Sequence, residues 1–251
     1  MSQQSYITPI ERKGFRHWLV GMGHWMLRKV NRVMRFPTGN QSIHDPSAFP
    51  WAQAMEADWE GIRDEVQYML SIRHELPDPL PPSYDEVSAK GGDWRICPLY
   101  WLERPIEATC ARCPKTAALL RQIPGLRTAS FSLLGPHQHI ARHEHYFLSY
   151  YIFHLGIIIP KPPGMCRMQI EDSTFTWDEG KVVLFDPTFP HEVWNDSEEV
   201  RVILAGELPR PHPFPLKVID ACFWGILKRL PWDRTAYKAL NDRMEEALKA
   251  S

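Results

Sequence analysis

Between Thr128 and Leu208 the chain breaks into short runs rich in Val, Ile, Phe and Tyr: TASFSLL, FLSYYIFHLGIII, MCRMQI, STFTW, KVVLF, HEVW and VRVILAGEL. Turn-forming residues separate them. Runs at this density suit an antiparallel sandwich or barrel, because each strand must turn back before it can bury its apolar face. WDEGKVV reads as strand, tight turn, strand. The 23 prolines agree with a loop-rich, β-rich chain, since proline interrupts helices and settles at turns and strand ends.

Helices are expected on both flanks. Residues 11–36 carry seven basic side chains against the single acid Glu11, and Trp18, Met22, Trp25, Met26, Val30 and Val33 recur at steps of three and four. That pattern makes an amphipathic helix, which either lies on an anionic membrane surface or packs on the core. Trp51, Met55, Trp59, Ile62, Val66, Met69 and Leu70 predict one helix over about 50–76. The proline- and glycine-rich PDPLPPSYDEVSAKGGD ends it and could cover a site. A shorter helix is expected from Pro114 to near Gly125. Beyond PRPHPFP, the run 216–230 (LKVIDACFWGILKRL) is apolar and helical in pattern but too short to span a bilayer. It would pack on the domain, pair with the N-terminal helix, or lie on lipid. The expected division is an N-terminal extension over 1–46, a β-rich domain over 47–211 and a helical extension over 212–251. The fold class is mainly β with α additions.

Several function classes drop out. A net charge of −1 gives no electrostatic footprint for nucleic acid. Five irregularly spaced cysteines do not form a disulfide framework, which points to a reducing compartment: the cytoplasm or its membrane face. Cys110-Ala-Arg-Cys113 has no second pair to complete a four-ligand zinc site and no thioredoxin-like context, so both are read as structural. Met1 to Ile10 is polar and no long apolar run follows, so neither a signal peptide nor a transmembrane helix is expected. Peripheral membrane contact would run through 11–36 and 216–230.

Chemistry concentrates in the histidines. Of eleven, His137, His139, His143, His145 and His154 fall within eighteen residues, and His191 follows alone. In an extended segment residues i and i+2 share a face, so His143 and His145 could address one metal ion while Glu144 faces away. His191 lies 48 residues after His143, far enough for strands to leave and return beside it. Such a ligand set leaves open positions on the metal, as non-haem Fe(II) oxygenases require for O2 and a bidentate cosubstrate. Ten residues after His191, Arg201 sits in the alternating VRVILAG. Its planar fork could anchor the far end of a dicarboxylate inside a barrel, or pair with Glu198 or Glu199 at the surface. Glu144 and Glu192 adjoin candidate ligands but face away along their strands, and Asp186 in FDP reads as a turn former.

At these residues the chain resembles a known family. GDWR at Gly92, CARCPKTAALL at Cys110, IPGLRTASFSLLGP at Ile123, HLGIIIP at His154, WDEGKVVLFDPTFPHEVWN at Trp177 and RVILAGELPRP at Arg201 resemble, in order, the aspartyl/asparaginyl β-hydroxylases, to which bacterial lipid A hydroxylases are related. The resemblance implies a double-stranded β-helix (jelly-roll, cupin-like) core within 47–211. It also implies Fe(II), 2-oxoglutarate and O2. It makes His143 and His191 the iron ligands, has Arg201 and Ser132 hold the far carboxylate of 2-oxoglutarate, and sets His154 near its other end. The expected activity is hydroxylation of an unactivated C–H bond in an amino-acid, peptide or lipid-like substrate. The alternatives are desaturation, cyclisation or rearrangement at the same iron, or a non-catalytic cupin-like binding protein.

Two positions depart from the family pattern. Relatives commonly have Gly or Asp where this chain has His145, which is open between third ligand, support for a ligand, and substrate contact. They often have arginine where this chain has Ile152, within Tyr151-Ile152-Phe153. An apolar side chain there points to a less acidic substrate touched by Tyr151 and Ile152, with Tyr150 and Phe153 as further candidates; the alternative for Tyr150, Tyr151 and Phe153 is a plain core role.

Overall fold

The computed structural model describes residues 40–79, 92–145, 150–229 and 231–249. The basic segment 11–36 and most of the proline-rich loop lie outside them. Two antiparallel sheets dominate. The larger has the order β1-β9-β6-β11-β4-β2-β3 and the smaller β5-β10-β7-β8. The strands are β1 (Ile43–His44), β2 (Trp94–Trp101), β3 (Arg104–Pro105), β4 (Thr128–Leu134), β5 (Gln138–His143), β6 (Tyr150–Ile158), β7 (Cys166–Ile170), β8 (Ser173–Thr176), β9 (Val182–Phe185), β10 (His191–Asn195) and β11 (Arg201–Pro209). From β4 to β11 the chain passes back and forth between the sheets, so strands distant in sequence become neighbours: β4 beside β11, and β5 beside β10. This is the double-stranded β-helix, or jelly roll, that the resemblance implies.

The helices are α1 (Pro50–Ala57), α2 (Trp59–Ser71), α3 (Glu107–Arg112), α4 (Pro114–Leu120), α5 (Leu216–Leu227) and α6 (Pro231–Lys249). α1 to α4 and α6 cover the outer face of the large sheet, where Trp51, Met55, Ile62, Val66, Leu240 and Met244 pack with Phe153, Leu155 and Leu204. Cys110 and Cys113 are buried in this layer, and burial pushes their thiols up to about 11 and about 12. They are therefore thiols at neutral pH and behave as small apolar side chains. A second core fills the space between the sheets and includes Tyr150, Ile152, Met168, Trp177, Phe185, Val193 and Ile203. Among the described residues no helix is long and apolar enough to cross a membrane.

Three local expectations change. The helix expected over 50–76 divides at Asp58, which leaves helical geometry (φ −115°, ψ 21°). This turns Trp59 onto Gly180, where a Cβ would meet the indole ring at 2.7 Å and φ is +74°. WDEGKVV is no hairpin: β8 and β9 belong to different sheets, and the turn between them carries the chain across. The crossing chain presses on Gly156, where a Cβ would meet the Asp178 carbonyl oxygen at 2.4 Å. Strand β2 was not anticipated, because its near-continuous apolar run with an internal proline shows no period of two.

Candidate metal centre

His143 ends β5, His191 begins β10, and the two are direct cross-strand partners. Their ring centroids lie 4.1 Å apart. His145 stands two residues beyond the strand end, where its backbone N–H donates to the Pro187 carbonyl at 2.8 Å. Its ring centroid is 5.6 Å from each of the other two. One nitrogen from each ring lies within 4.8 Å of the others, a cluster able to hold a divalent metal ion.

The opposite nitrogens explain the orientation. His143 Nδ1 faces the Ala141 carbonyl at 2.9 Å, and His191 Nδ1 faces the Phe189 carbonyl at 2.8 Å. A carbonyl can only accept, so each Nδ1 carries the proton and each Nε2 keeps its lone pair. His145 Nδ1 meets the Tyr150 hydroxyl at 2.8 Å, which again leaves Nε2. Burial lowers all three pKa values, that of His145 to about 3, so the rings are neutral donors at physiological pH.

The loop 186–190 supports two of the rings at once. Asp186 Oδ1 accepts from the Thr188 N–H at 3.0 Å and its hydroxyl at 2.6 Å. Asp186 Oδ2 pairs with Arg210 in a wholly buried ion pair. The expected turn-forming role of Asp186 is present, and the ion pair goes beyond it. This loop supplies both Pro187 and Phe189 carbonyls, one for the His145 backbone and one for the His191 ring.

Arg201 opens β11 and is 1% exposed, which excludes the surface pair with Glu198 or Glu199. Its Nη2 donates to Ser132 Oγ at 3.3 Å, and Ser132 also accepts from Trp94 Nε1 at 3.0 Å. Its guanidinium lies 4.9 Å from the Trp177 ring centroid. Among the described residues Nε and Nη1 have no hydrogen-bond partner, nor do the neighbouring Trp177 Nε1 and His154 Nδ1. Burial brings the guanidinium pKa down to about 10, and burial with the Arg201 charge holds His154 well below its usual value. A continuous wall joins this end to the histidines: Phe185 lies 5.5 Å from His191 and 5.0 Å from His154, and His154 lies 5.9 Å from Trp177.

The structure therefore brings His143, His145 and His191 from the small-sheet side and His154, Ser132 and Arg201 from the large sheet to the space between the two sheets. It does not bring Tyr151 there. Tyr151 faces the helix layer, 4.3 Å from His44 and under Arg210 at 4.8 Å. Tyr150 and Ile152, one residue to either side, belong to the inner core instead. Phe153 likewise packs outward, 5.0 Å from Trp51. Glu192 points out from the small sheet to His139 at 3.0 Å, as the alternation of β10 requires. Trp177, Phe185 and the Asp186–Arg210 pair were not singled out beforehand. The common parity of His154, Ile152 and Tyr150 was the available signal for which residues of β6 face inward.

The sequence model described as aspartyl/asparaginyl beta-hydroxylase matches residues 56–211. An ornithine lipid ester-linked acyl 2-hydroxylase of Rhizobium tropici is 30% identical over 190 residues, covering 75% of this chain and 66% of that protein. The aspartyl/asparaginyl beta-hydroxylase of Homo sapiens is 33% identical over 168 residues, covering 65% of this chain and 21% of that protein. The chain thus spans just under two thirds of the first relative and about a fifth of the second. A solved Cupin_2 domain of an XRE family transcriptional regulator from Enterobacter cloacae is 15% identical and covers 47% of this chain and 98% of that chain, with a TM-score of 0.32.

Proposed function

Because the chain belongs to the aspartyl/asparaginyl β-hydroxylase family, we propose that it is an Fe(II)- and 2-oxoglutarate-dependent hydroxylase whose substrate is the acyl chain of a lipid. The observation that carries the cofactor assignment is Arg201, a buried guanidinium with two unoccupied N–H groups in the same inter-sheet space as three neutral imidazoles. A buried charge without a counter-ion is costly, and the chain offers Arg201 no carboxylate among the described residues. A dicarboxylate meets this need. Arg201 and the Ser132 hydroxyl would hold one carboxylate, leaving the other end of the dicarboxylate for the metal.

His143, His191 and His145 would hold Fe(II) through Nε2. All three are uncharged, so the ligand set leaves the metal's charge for the cosubstrate dianion to balance. Trp177 Nε1–H would supply a further donor to the cosubstrate, and His154 Nδ1 is a further buried polar atom beside it. With O2, the bound pair supplies oxidative decarboxylation to succinate and CO2, coupled to placing one oxygen atom in a C–H bond. The protein's part is orientation and exclusion of water, and the packing of Phe185 and Trp177 serves both.

The acyl-chain assignment is supported by the inner side chains on the approach to the histidines. Tyr150, Ile152 and Trp224 are buried in the inter-sheet cluster, and none could bind an acidic group as a charge would. It is supported also by the relative named for acting on ornithine lipid, whose match covers more of this chain than that of the human aspartyl/asparaginyl beta-hydroxylase. The test is succinate release with Fe(II), 2-oxoglutarate and either acyl lipids or acidic peptides, followed by product mass. One added oxygen on lipid, abolished in His191→Ala, is expected. Loss of two hydrogens would indicate desaturation. Turnover that survives His191→Ala, or turnover on peptide alone, would overturn the proposal.

A further inference from the structure

Six large apolar side chains are exposed among the described residues, and five of them lie on α5 or just before it: Phe214, Val218, Ile219, Phe223 and Ile226. Phe214 is 83% and Ile226 63% exposed, so these are not core residues grazing the surface. At 100° per residue, positions 218, 219, 222, 223 and 226 share one arc of the helix. The opposite side fastens α5 to the barrel. Trp224 is buried 6.5 Å from the Tyr150 ring, Arg127 stacks on Trp224 at 4.0 Å, and Asp220 accepts from Arg127 at 2.6 Å. Lys228 pairs with Glu103 at 2.6 Å. The outward arc holds no charge, and cations stand at the two ends of the helix, Lys217 in the first turn on the barrel side and Arg229 just past the last turn. Lys217 and Arg229 are exposed, and a cleft of about 490 Å³ beside the helix is lined by Arg127, Arg210, Lys217 and Lys228 against Glu103 and Asp220.

We propose that α5 is a membrane-docking helix. It lies in the interface of an anionic bilayer with Val218, Ile219, Phe223 and Ile226 among the acyl chains and Lys217 and Arg229 at the headgroups. An apolar stripe with basic flanks is the pattern that binds such a surface. A second copy's apolar arc carries no acidic group to meet the exposed Lys217 and Arg229, whereas an anionic bilayer supplies the opposite charge. The location matters as much as the chemistry. Trp224 touches Tyr150, and the Tyr150 hydroxyl meets His145 Nδ1, so one layer of side chains separates the docking helix from the candidate metal centre. A lipid acyl chain would then reach the site without leaving its membrane. This deepens the lipid-hydroxylase reading and rests on it for its purpose, but binding is measurable without metal, cosubstrate or turnover.

The chain supplies its own probe position. Cys222 is exposed on the outward arc, and the other four cysteines are buried. A polarity-sensitive thiol dye on Cys222 of the full chain is titrated with phosphatidylglycerol/phosphatidylcholine vesicles and with phosphatidylcholine alone. A saturable blue shift is expected with the anionic vesicles. Affinity should be about tenfold or more weaker for neutral vesicles and for Ile219→Asp/Ile226→Asp on the anionic ones. Two outcomes overturn the proposal: a dye that stays solvent-exposed at millimolar anionic lipid, and a dye already shielded before lipid is added. In the second case, dependence on protein dilution would identify a second copy as occupant, and independence another segment of this chain. Vesicle binding without turnover would sink the hydroxylase reading alone. Turnover on detergent-dispersed lipid without vesicle binding would sink the docking helix alone.

Discussion

Arg201 and Arg210 stand at the two ends of β11, and both guanidinium groups are withdrawn from water, at 1% and 3% exposure. Their surroundings differ in kind. Arg210 meets a carboxylate of its own chain, Asp186, which in turn stiffens the loop behind two of the candidate ligands. Among the described residues Arg201 meets a serine hydroxyl and the face of an indole, with no carboxylate. A buried cation that the fold neutralises is a structural joint. One that the fold leaves without an anion fits the cosubstrate anchor proposed above.

The comparison breaks most visibly at Arg210. Asp186→Asn leaves that guanidinium buried without its charge partner and is expected to lower unfolding stability by about 3–5 kcal/mol, measured by urea denaturation. Metal affinity should fall with it, because the loop carrying the Pro187 and Phe189 carbonyls loosens. Arg201→Met should do the reverse. Stability without cosubstrate stays level or rises, since an uncompensated charge is removed, while 2-oxoglutarate affinity falls by about a hundredfold or more in calorimetric titration. Equal destabilisation by the two substitutions would erase the distinction.

Tyr150→Phe sharpens the ligand side. His145 loses the hydroxyl that meets Nδ1, and Fe(II) affinity by competitive chelation should fall about tenfold if His145 is a ligand. An unchanged affinity would remove His145 from the metal. The smallest effect concerns a third charged group on the same strand. Burial raises the Glu207 carboxyl from 4.5 to about 7, opposed by its hydrogen bond from Thr128 and by Arg127. The folded state therefore holds that proton more tightly than the unfolded chain. Its contribution to stability is present below about pH 4.5 and is lost as pH rises through about 7. Glu207→Gln should flatten the stability profile across that window, and an unchanged slope would assign it to other groups.

The residues differ in how far they could be read in advance. His143 and His191 were legible because the resemblance fixed their motif positions and strand alternation put the intervening glutamates on the other face. Arg201 was legible for its register with His191. Tyr151 was misplaced because β6 is a central strand, apolar on both faces, whose composition does not announce which parity points inward. The pairing of Asp186 with Arg210 had no local signature, since 24 residues of chain separate the partners.

The amino-acid order alone determined the β-rich class, the histidine and arginine motif and the apolar run after PRPHPFP, because alternation, turn chemistry and motif spacing are local properties. The tertiary structure decided what depends on distance and burial. It brought His145 into the cluster, left Arg201 without a carboxylate among the described residues, turned Tyr150 rather than Tyr151 toward the three histidines, and left the apolar side chains on one side of α5 exposed. Each of these is set by which strands become neighbours across the two sheets, and that pairing brings together residues tens of positions apart.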